Sequence, residues 1–444
     1  MSTQAVFAGD VEIIRLQLTT FTNDKPLDLL PQFAEIEIYQ SLEEQFMYGS
    51  LEVADAVGMF NNYPLVGEEL LTFEFKVPGG DRTTEAKFFV FSAENISKTD
   101  SQLKSIYRLK FTSVEKKYAL ISSVPNAYNE PIASIVPKIV SDYLYSKKRI
   151  TIEPTLGSQQ LVFPSSSPSA ALDMCARRAI SPNFKSSSYV FYEDFDGFVF
   201  KTIEKVINDS RKRPIDQYHM TPTKFRHGDG TNKVATGGNP SSRSFDFFTL
   251  TSYNVHQRYN TLSKISQGIV SSELVEYDLI TKTETKTKYK YNDTFSQTRS
   301  VDGSGSGKTL TDEYVGRIDN LRNTKDSMVK GYMVKDSSKP NTYFDRSFGH
   351  RLMYMNSLNQ HDVSIVVPGR TQINPGMLVH IKVPAMEGAT SENTEDQYLS
   401  GNFLAYNVKH LVARANKRIT YSCTIDLAKD SYLNNINTQG NFQI

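Results

Sequence analysis

Strand-like alternation of apolar and polar residues occupies both ends of this 444-residue chain and is interrupted in the middle. Near the start, six segments show period-two alternation or an enrichment of β-branched and aromatic residues, separated by Gly, Pro, Asn, Asp and Ser. They are VEIIRLQL (11–18), FAEIEIY (33–39), GSLEVAD (49–55), LLTFEFKVP (70–78), KFFVFSAENI (87–96) and SIYRLKF (105–111). Six strands with no convincing helix among them predict a small antiparallel barrel or sandwich.

The end of the chain is strand-rich in the same way. The predicted strands are DVSIVVPG (362–369), GMLVHIKVP (376–384), YLSGNFLAYNVKH (398–410) and KRITYSCTIDLA (417–428). Residues 91–112 align without a gap with residues 403–424. The identical pairs are Phe91/Phe403, Ala93/Ala405, Asn95/Asn407 and Thr112/Thr424. The shared order of turns and strands favours a duplicated barrel, and two unrelated β-meanders are the alternative.

The segment between the two β-rich ends has a different pattern. In NEPIASIVPKIVSDYLYSKK, apolar residues at helical spacing predict a helix, which Pro137 should kink or delay. SPSAALDMCARRAI (167–180) predicts a second helix, and SSYVFYEDFDGFVFKTI (187–203) predicts a hairpin that turns near Asp196 and Gly197. This part of the chain is therefore expected to be α+β.

The following residues predict loops and short elements. The stretches 208–243 and 293–342 are polar and predict long loops. A short helix is predicted over 253–265, a hairpin turning near Asp278 over 268–292, and a further helix over 342–358.

Composition excludes several classes of protein. The formal net charge of +1 gives no global field toward nucleic acid or an anionic membrane. No run of about 18 apolar residues predicts a membrane span, and the N-terminal residues do not resemble a signal peptide. Only two cysteines, Cys175 and Cys423, are present, which fits assembly in a reducing compartment.

Motifs that could support catalysis are incomplete. VDGSGSGKTL (301–310) ends like a phosphate-binding loop, but Asp302 stands where the first glycine is needed. EDFDG (193–197) lacks the ligand series of a calcium loop and is better explained as a hairpin turn. The seven histidines show no metal-binding spacing, and no G-x-S-x-G motif exists. We therefore expect no catalytic residue, no cofactor and no metal site.

Several stretches together resemble one family, the central baseplate hub proteins of contractile-tailed bacteriophages, and are also similar to the hub portion of type VI secretion spike proteins. They are EIYQSLEEQFMYGSLEVADAVGMFNNYPLVGEELLTFEF (37–75), SSPSAALDMCARRAISPNFKSSSYVFYEDFDGFVF (166–200), VSIVVPGRTQINPGMLVHIKVP (363–384) and YLSGNFLAYNVKHLVARANKRITYSCTIDLAKDSY (398–432). No single motif is diagnostic, but the ordered set covers most of the chain.

The resemblance implies a mainly β fold with an α+β insertion, in which two barrels like those of the tail tube flank a peripheral domain. The implied divisions are a first barrel (1–112), a middle domain (113–203 and 250–342), a second barrel (204–249 and 343–430) and a C-terminal tail (431–444). No spike, lysozyme or β-helix segment is recognised after the second barrel, so these are expected to be separate chains.

The resemblance also implies a function. Three chains would form a homotrimeric ring in the virion's tail baseplate, assembled in the host cytoplasm, that adapts the six-fold tail tube to a three-fold spike. The implied partners are the tail tube or tube-initiator protein, the trimeric spike protein, baseplate wedge proteins and the tape-measure protein. One alternative is the hub of a type VI-like secretion or other contractile injection machine. Another alternative is an enzyme, a nucleotide or cell-wall hydrolase.

Polar side chains alternate with apolar ones on three of the predicted barrel strands. These candidate channel-facing or interface residues are Thr72, Glu74, Lys76, Arg108, Lys110, His380 and Lys382. In a barrel one face of each strand packs in the core and the other meets solvent. Lining of a hydrated channel and an ordinary solvated outer face are both consistent with the pattern.

Overall fold

The computed structural model describes most of the chain. The described residues are 8–20, 23–55, 58, 63, 65–78, 82–99, 104–184, 186–220, 247–257, 266, 271–290, 301, 329–335, 344–358, 361–383, 396, 399–415 and 418–430. Much of the two predicted polar loops and all of the predicted C-terminal tail lie outside these residues. No helix in the described part of the chain is long and apolar enough to cross a membrane.

Strands dominate the structure, with helices mostly in its middle part. The strands are β1 (Glu12–Thr20), β2 (Asn23–Asp28), β3 (Phe33–Ser41), β4 (Tyr48–Asp55), β5 (Leu70–Lys76), β6 (Thr83–Thr99), β7 (Lys104–Ser113), β8 (Ala127–Glu130), β9 (Ile150–Ile152), β10 (Gln159–Val162), β11 (Tyr189–Asp194), β12 (Gly197–Thr202), β13 (Asp216–His219), β14 (Ser252–Gln257), β15 (Ser271–Asp278), β16 (Glu284–Lys290), β17 (Val329–Lys335), β18 (His361–Pro368), β19 (Leu378–Lys382), β20 (Gly401–Ala415) and β21 (Arg418–Lys429). The helices are α1 (Val114–Ile121), α2 (Ile132–Tyr143), α3 (Pro168–Arg178), α4 (Ile203–Arg211) and α5 (Phe344–Leu358).

One large sheet joins the two β-rich ends of the chain. Its strand order is β14-β18-β21-β20-β3-β4-β7-β6-β5-β1-β2, with β19 beside β20 and β13 beside β19. All of these pairs are antiparallel except β13 and β19, which run parallel. The prediction of a mainly β protein with antiparallel sheets is confirmed.

The sheet contains the same strand order twice. The first half runs β3-β4-β7-β6-β5-β1, and the second half runs β14-β18-β21-β20-β19-β13. In both, a long hairpin (β6–β7 or β20–β21) lies at the centre. The halves meet where β20 pairs with β3, from Asn407↔Ser41 to Ala413↔Glu35. They differ at one end, because β1 is antiparallel to β5 whereas β13 is parallel to β19.

A bulge in each central hairpin fixes which residues of the halves correspond. The β6–β7 register shifts at Phe91 and again at Ile96, and the β20–β21 register shifts at Tyr406. Phe91 and Tyr406 each lie two residues after the partner of the first residue of β5 or β19. Phe91 therefore corresponds to Tyr406, and the ungapped alignment of Phe91 with Phe403 is wrong by three residues. An odd shift exchanges the two faces of a strand. Phe403 is fully buried in the core, whereas Phe91 is half exposed on the opposite face.

No closed barrel is found among the described residues. Beyond its ladders, the large sheet shows two isolated bridges among the described residues: Asp10 with Thr420, and His219 with Thr249. The two halves instead share one hydrophobic core. Within it, the rings of Phe75 and Tyr421, one from each half, lie edge to face with their centroids 5.7 Å apart.

The middle of the chain forms an α+β region with its own core. A three-stranded sheet (β11-β12-β9) and a two-stranded sheet (β10-β8) surround α2 and α3. The predicted helix over α2 is confirmed and continues through Pro137, because its apolar stripe is fully buried. At the start of α3, the Ser167 hydroxyl accepts a hydrogen bond from the backbone N–H of Ala170 at 3.3 Å.

The β11–β12 hairpin attaches the middle region to the large sheet. Its turn is confirmed at Asp196 and Gly197, where a φ of +127° favours glycine. A Cβ at Gly197 would lie 2.2 Å from the carbonyl oxygen of Arg149. Phe195, at the tip, packs against the core of the large sheet, with its ring centroid 6.1 Å from that of Phe75.

The remaining elements give two confirmed predictions and two corrections. The stretches predicted as long loops, 208–243 and 293–342, contain the end of α4 and the strands β13 and β17, which are extended because they pair with β19 and β15. The hairpin over 268–292 is β15 and β16, which form a sheet with β17, and the helix over 342–358 is α5. The helix predicted over 253–265 is wrong: Ser252–Gln257 is strand β14, and residues 258–265 lie outside the described residues. β14 is extended because it pairs with β18.

Candidate interaction surface

The candidate residues on β5 and β7 lie on one face of the first half of the sheet, which we call the outward face. Thr72, Glu74 and Lys76 point away from the core, because the intervening apolar side chains of β5 are buried. Arg108 and Lys110 on β7 point the same way. The structure therefore brings five of the seven predicted residues together on one surface.

The other two candidates, His380 and Lys382, lie on β19 in the second half. The Nδ1 atom of His380 is 2.9 Å from the Oδ1 atom of Asn402, the residue opposite it on β20. Since β19 pairs with β20 as β5 pairs with β6, His380 corresponds to Thr72 and Lys382 to Glu74. These candidates occupy equivalent positions in the two halves but are not contiguous with the outward face.

Ion pairs between neighbouring strands cover the outward face. The ammonium of Lys110 lies 2.6 Å from the carboxylate of Glu94. Further pairs join Arg108 to Glu52 and Lys409 to Glu37, linking β6, β7, β4, β3 and β20. Each exposed pair contributes about 0–1 kcal/mol. The face consequently has mixed charge, with opposite signs facing each other across the strands.

On β5, the candidate Glu74 is also paired. One guanidinium nitrogen of Arg15, on β1, lies 2.7 Å from its carboxylate. At the other end of the face, burial raises the pKa of Glu35, and the neighbouring Glu52 and Glu37 raise it further. Carboxylates are thus concentrated on β3 and β4, beside the seam between the halves.

An aromatic row crosses the same face at one end of the strands. The cross-strand neighbours in this row are Tyr39, Tyr48, Thr112, Phe89 and Leu70. The rings of Tyr39 and Tyr48 are stacked, with centroids 5.1 Å apart and planes within 7° of each other. The outward face is therefore aromatic at this end and charged toward the other, a division that the alternation pattern did not reveal.

A buried ionic cluster lies where the middle region meets the sheet. The ammonium of Lys148 is 2.7 Å from the carboxylate of Glu115 and 2.5 Å from that of Glu193. Burial alone would lower the pKa of Lys148, but the two carboxylates raise it above its ordinary value. Glu193 also accepts hydrogen bonds from the Ser113 hydroxyl and, at 3.0 Å, from the backbone N–H of Met47. No sequence motif indicated this cluster.

The described residues contain little that suggests catalysis. They include no group of three or more His, Cys, Asp or Glu side chains that could hold a metal ion. Cys175 and Cys423 are both buried and free, and burial raises the pKa of Cys175 to about 12, so its thiol is a poor nucleophile. Apart from residue 301, the stretch 301–310 lies outside the described residues.

Comparison with known proteins identifies the fold. No family model matches the chain, and no curated protein matches it by sequence. Among solved structures, a tail protein from Neisseria meningitidis MC58 superimposes with a TM-score of 0.53 at 11% identity, over 96% of this chain and 97% of that chain. The 43 kDa tail protein of prophage MuSo2 from Shewanella oneidensis gives 0.51 at 11% identity, over 94% and 98%.

A third match is weaker. The E. coli c3393 protein, a component of the type VI secretion system, gives a TM-score of 0.39 at 11% identity, over 94% of this chain and 76% of that chain. This score is too low to support an argument. The resemblance to tail proteins that the sequence indicated is confirmed by the first two structures as a likeness of fold: the chain has the fold of these two tail proteins.

Proposed function

We propose that this protein is a structural component of a phage tail, the homotrimeric hub that adapts a six-fold tail tube to a three-fold spike. The observation that supports this most directly is the repeated strand order of the large sheet. Three chains with two similar halves each would present six similar units in a ring, because homo-oligomers tend to close symmetrically. The fold shared with two tail proteins is consistent with this role.

In this proposal each half of the sheet is a barrel-like unit. The bridge between Asp10 and Thr420 joins the residues just before β1 to β21 and therefore links the first half to the second. The bridge between His219 and Thr249 lies where the second unit would close, between β13 and the residues that precede β14. Packing against neighbouring chains would extend these contacts into ladders.

The proposed domain boundaries are those drawn from the sequence. They are a first barrel (1–112), a middle domain (113–203 and 250–342), a second barrel (204–249 and 343–430) and a C-terminal tail (431–444). Within the middle range, β14 contributes one strand to the large sheet. The middle domain would lie at the periphery of the ring.

The proposed role is architectural, without catalysis. The partners would be a tail tube or tube-initiator protein on one side and a trimeric spike protein on the other, with baseplate wedge proteins around the ring and the tape-measure protein near its axis. The protein would be located in the tail baseplate of the virion after assembly in the host cytoplasm. The mixed charge of the outward face suits both a protein contact surface and the wall of a hydrated channel.

Co-expression with the tube and spike proteins of the same tail tests the proposal. Native mass spectrometry should find complexes with three copies of this chain, three of the spike and six of the tube protein. Complexes with one or two copies of this chain would contradict the ring. Association with the spike of a secretion machine instead of a virion spike would support the alternative assignment.

A further inference from the structure

An apolar groove opens on the aromatic end of the outward face, beside helix α1. It has a volume of about 390 Å³ and is lined mainly by apolar side chains. Tyr48, Phe91 and Leu120 in its wall are 42%, 51% and 75% exposed. A contiguous exposed apolar surface of this kind on a folded chain marks an interaction site.

The corresponding surface in the second half is covered by helices and a hairpin of the same chain. By strand register, Phe89 corresponds to Leu404, and by bulge position Phe91 corresponds to Tyr406. Leu404 is fully buried in a cluster that includes Tyr354 of α5, and Tyr406 packs against that cluster.

Helices α4 and α5 form part of this cover, together with Val190, Tyr192 and Val199 of the β11–β12 hairpin. Ile203 and Ile207 of α4 belong to the same cluster as Tyr354 and Leu358 of α5. Tyr354 and Leu358 are four residues apart and therefore share one face of their helix. In the second half this surface therefore accepts the apolar faces of helices, beside apolar residues of the β11–β12 hairpin.

The charged residues at the rim of the groove in the first half indicate which side chains should lie beside the apolar face of a bound helix. The ammonium of Lys117 lies 4.9 Å from the ring centroid of Phe89, and that of Lys116 lies 5.4 Å from the ring centroid of Phe46. Lys117 is 3.9 Å from the exposed carboxylate of Glu68. Lys116 has no ion-pair partner among the described residues. The exposed carboxylate of Glu44 also lines the groove, so the rim carries both signs, and Lys116 is the position at which an acidic side chain of a partner would be favourable.

We propose that this groove binds an amphipathic helix of a partner protein, with apolar side chains at i and i+4 and an acidic residue that reaches Lys116 and Lys117. The helix would cover Phe89 and Phe91 as α4 and α5 cover Leu404 and Tyr406. The proposal rests on the correspondence of the two halves and not on the trimeric ring.

Two synthetic peptides test the proposal on the full-length protein. One is a helix-stapled peptide with the α5 sequence (residues 344–358), and the other is the same peptide with Arg351→Glu. Stapling lowers the cost of ordering a short helix. Position 351 lies three residues before Tyr354 on the same side of the helix. We expect the R351E peptide to bind at least tenfold more tightly than the parent, as measured by fluorescence anisotropy.

Variants of the protein locate the binding site. Phe91→Asp should weaken binding of the R351E peptide at least tenfold, and the double variant K116E/K117E should reverse the preference between the two peptides. Val162→Asp on β10, where Val162 is 66% exposed, is the matched control and should bind like the parent protein.

Three results would overturn the proposal: no binding of either peptide, unchanged binding by the Phe91→Asp variant, or a change in oligomeric state of that variant without peptide. The last would mean that a second copy of this chain occupies the groove. If the parent protein binds the peptide but forms no trimeric ring, the result would count against the proposed function and not against the groove.

Discussion

Phe91 and Tyr406 occupy the same position in the two halves of the sheet, and only Tyr406 is covered by the rest of the chain. Each is the extra residue at a bulge in the central hairpin of its half. Phe91 is 51% exposed, whereas Tyr406 packs against a cluster that includes residues of α4, α5, β19 and the β11–β12 hairpin. The contrast shows that the middle region and α5 cover this surface in only one of the two halves.

This contrast predicts different stabilities for two matched variants. Tyr406→Ala should lower the free energy of unfolding by about 2 kcal/mol, because it removes a large side chain from a packed cluster. Phe91→Ala should change it by less than about 0.5 kcal/mol, because the ring already faces solvent. Urea unfolding followed by circular dichroism measures both. Equal losses would show that the two positions are not differently covered.

Low pH should destabilise the region where β20 pairs with β3, because of the buried side chain of His410. This residue on β20 is fully enclosed, with Nδ1 2.8 Å from the Tyr421 hydroxyl and Nε2 3.4 Å from the side-chain oxygen of Gln40 on β3. Burial lowers the pKa of His410 to about 3. The unfolded state, with an ordinary pKa near 6.5, therefore binds the proton first as the pH falls.

The stabilising contribution of neutral His410 is thus present above about pH 6.5 and is lost as the pH falls toward 3. The slope is at most about 1.4 kcal/mol per pH unit for one group. His410→Gln should flatten the dependence over this range. A smaller slope should remain, because burial also lowers the pKa of His350, to about 4. Identical pH profiles for the two proteins would refute the assignment.

Removal of the Lys148 ammonium should destabilise the junction between the middle region and the sheet. Lys148→Met would leave the carboxylates of Glu115 and Glu193 close together without their cation. The expected loss is on the order of 3 kcal/mol, since breaking a buried pair leaves an uncompensated charge. Lys147→Met, at the exposed neighbouring position, is the control for differential scanning calorimetry. A variant as stable as this control would show that the cluster is not structural.

Gly49 should not tolerate even a methyl group. A Cβ at this position on β4 would lie 2.0 Å from the carbonyl oxygen of Glu37 and 2.7 Å from the ring of Phe111. Gly49→Ala should therefore cost about 1–3 kcal/mol or more, because the neighbouring strand must move. Ser50→Ala, the next residue on the same strand, should be close to neutral. A normal melting temperature for Gly49→Ala would contradict the packing of β3, β4 and β7.

Period-two alternation predicted most strands of the large sheet, because each buries one face in a common core. The alternation could not show which residues pair across neighbouring strands or which residues of the two halves correspond. The bulges at Phe91 and Tyr406 show that the true correspondence of β6 with β20 differs by three residues from the ungapped alignment. The helix predicted over 253–265 failed because pairing with β18, a distant segment, determines that β14 is extended.

Part of the candidate surface was also visible in the sequence. Alternation correctly placed Arg108 and Lys110 opposite the core residues of β7. The sequence could not show which carboxylates they meet, since Glu52 and Glu94 come from other strands. The groove depends on helix α1, which was not predicted, packing beside β6. The cluster around Lys148 joins residues from three separate segments and has no local signature.

Particle symmetry tests the central claim most directly. Electron microscopy of the purified protein, alone and bound to its spike protein, should give class averages of three-fold rings with an open centre and six similar inner lobes. Three-fold rings only in the presence of the spike would still agree with the account. Compact monomers or dimers under both conditions, or rings without a six-lobed interior, would contradict it.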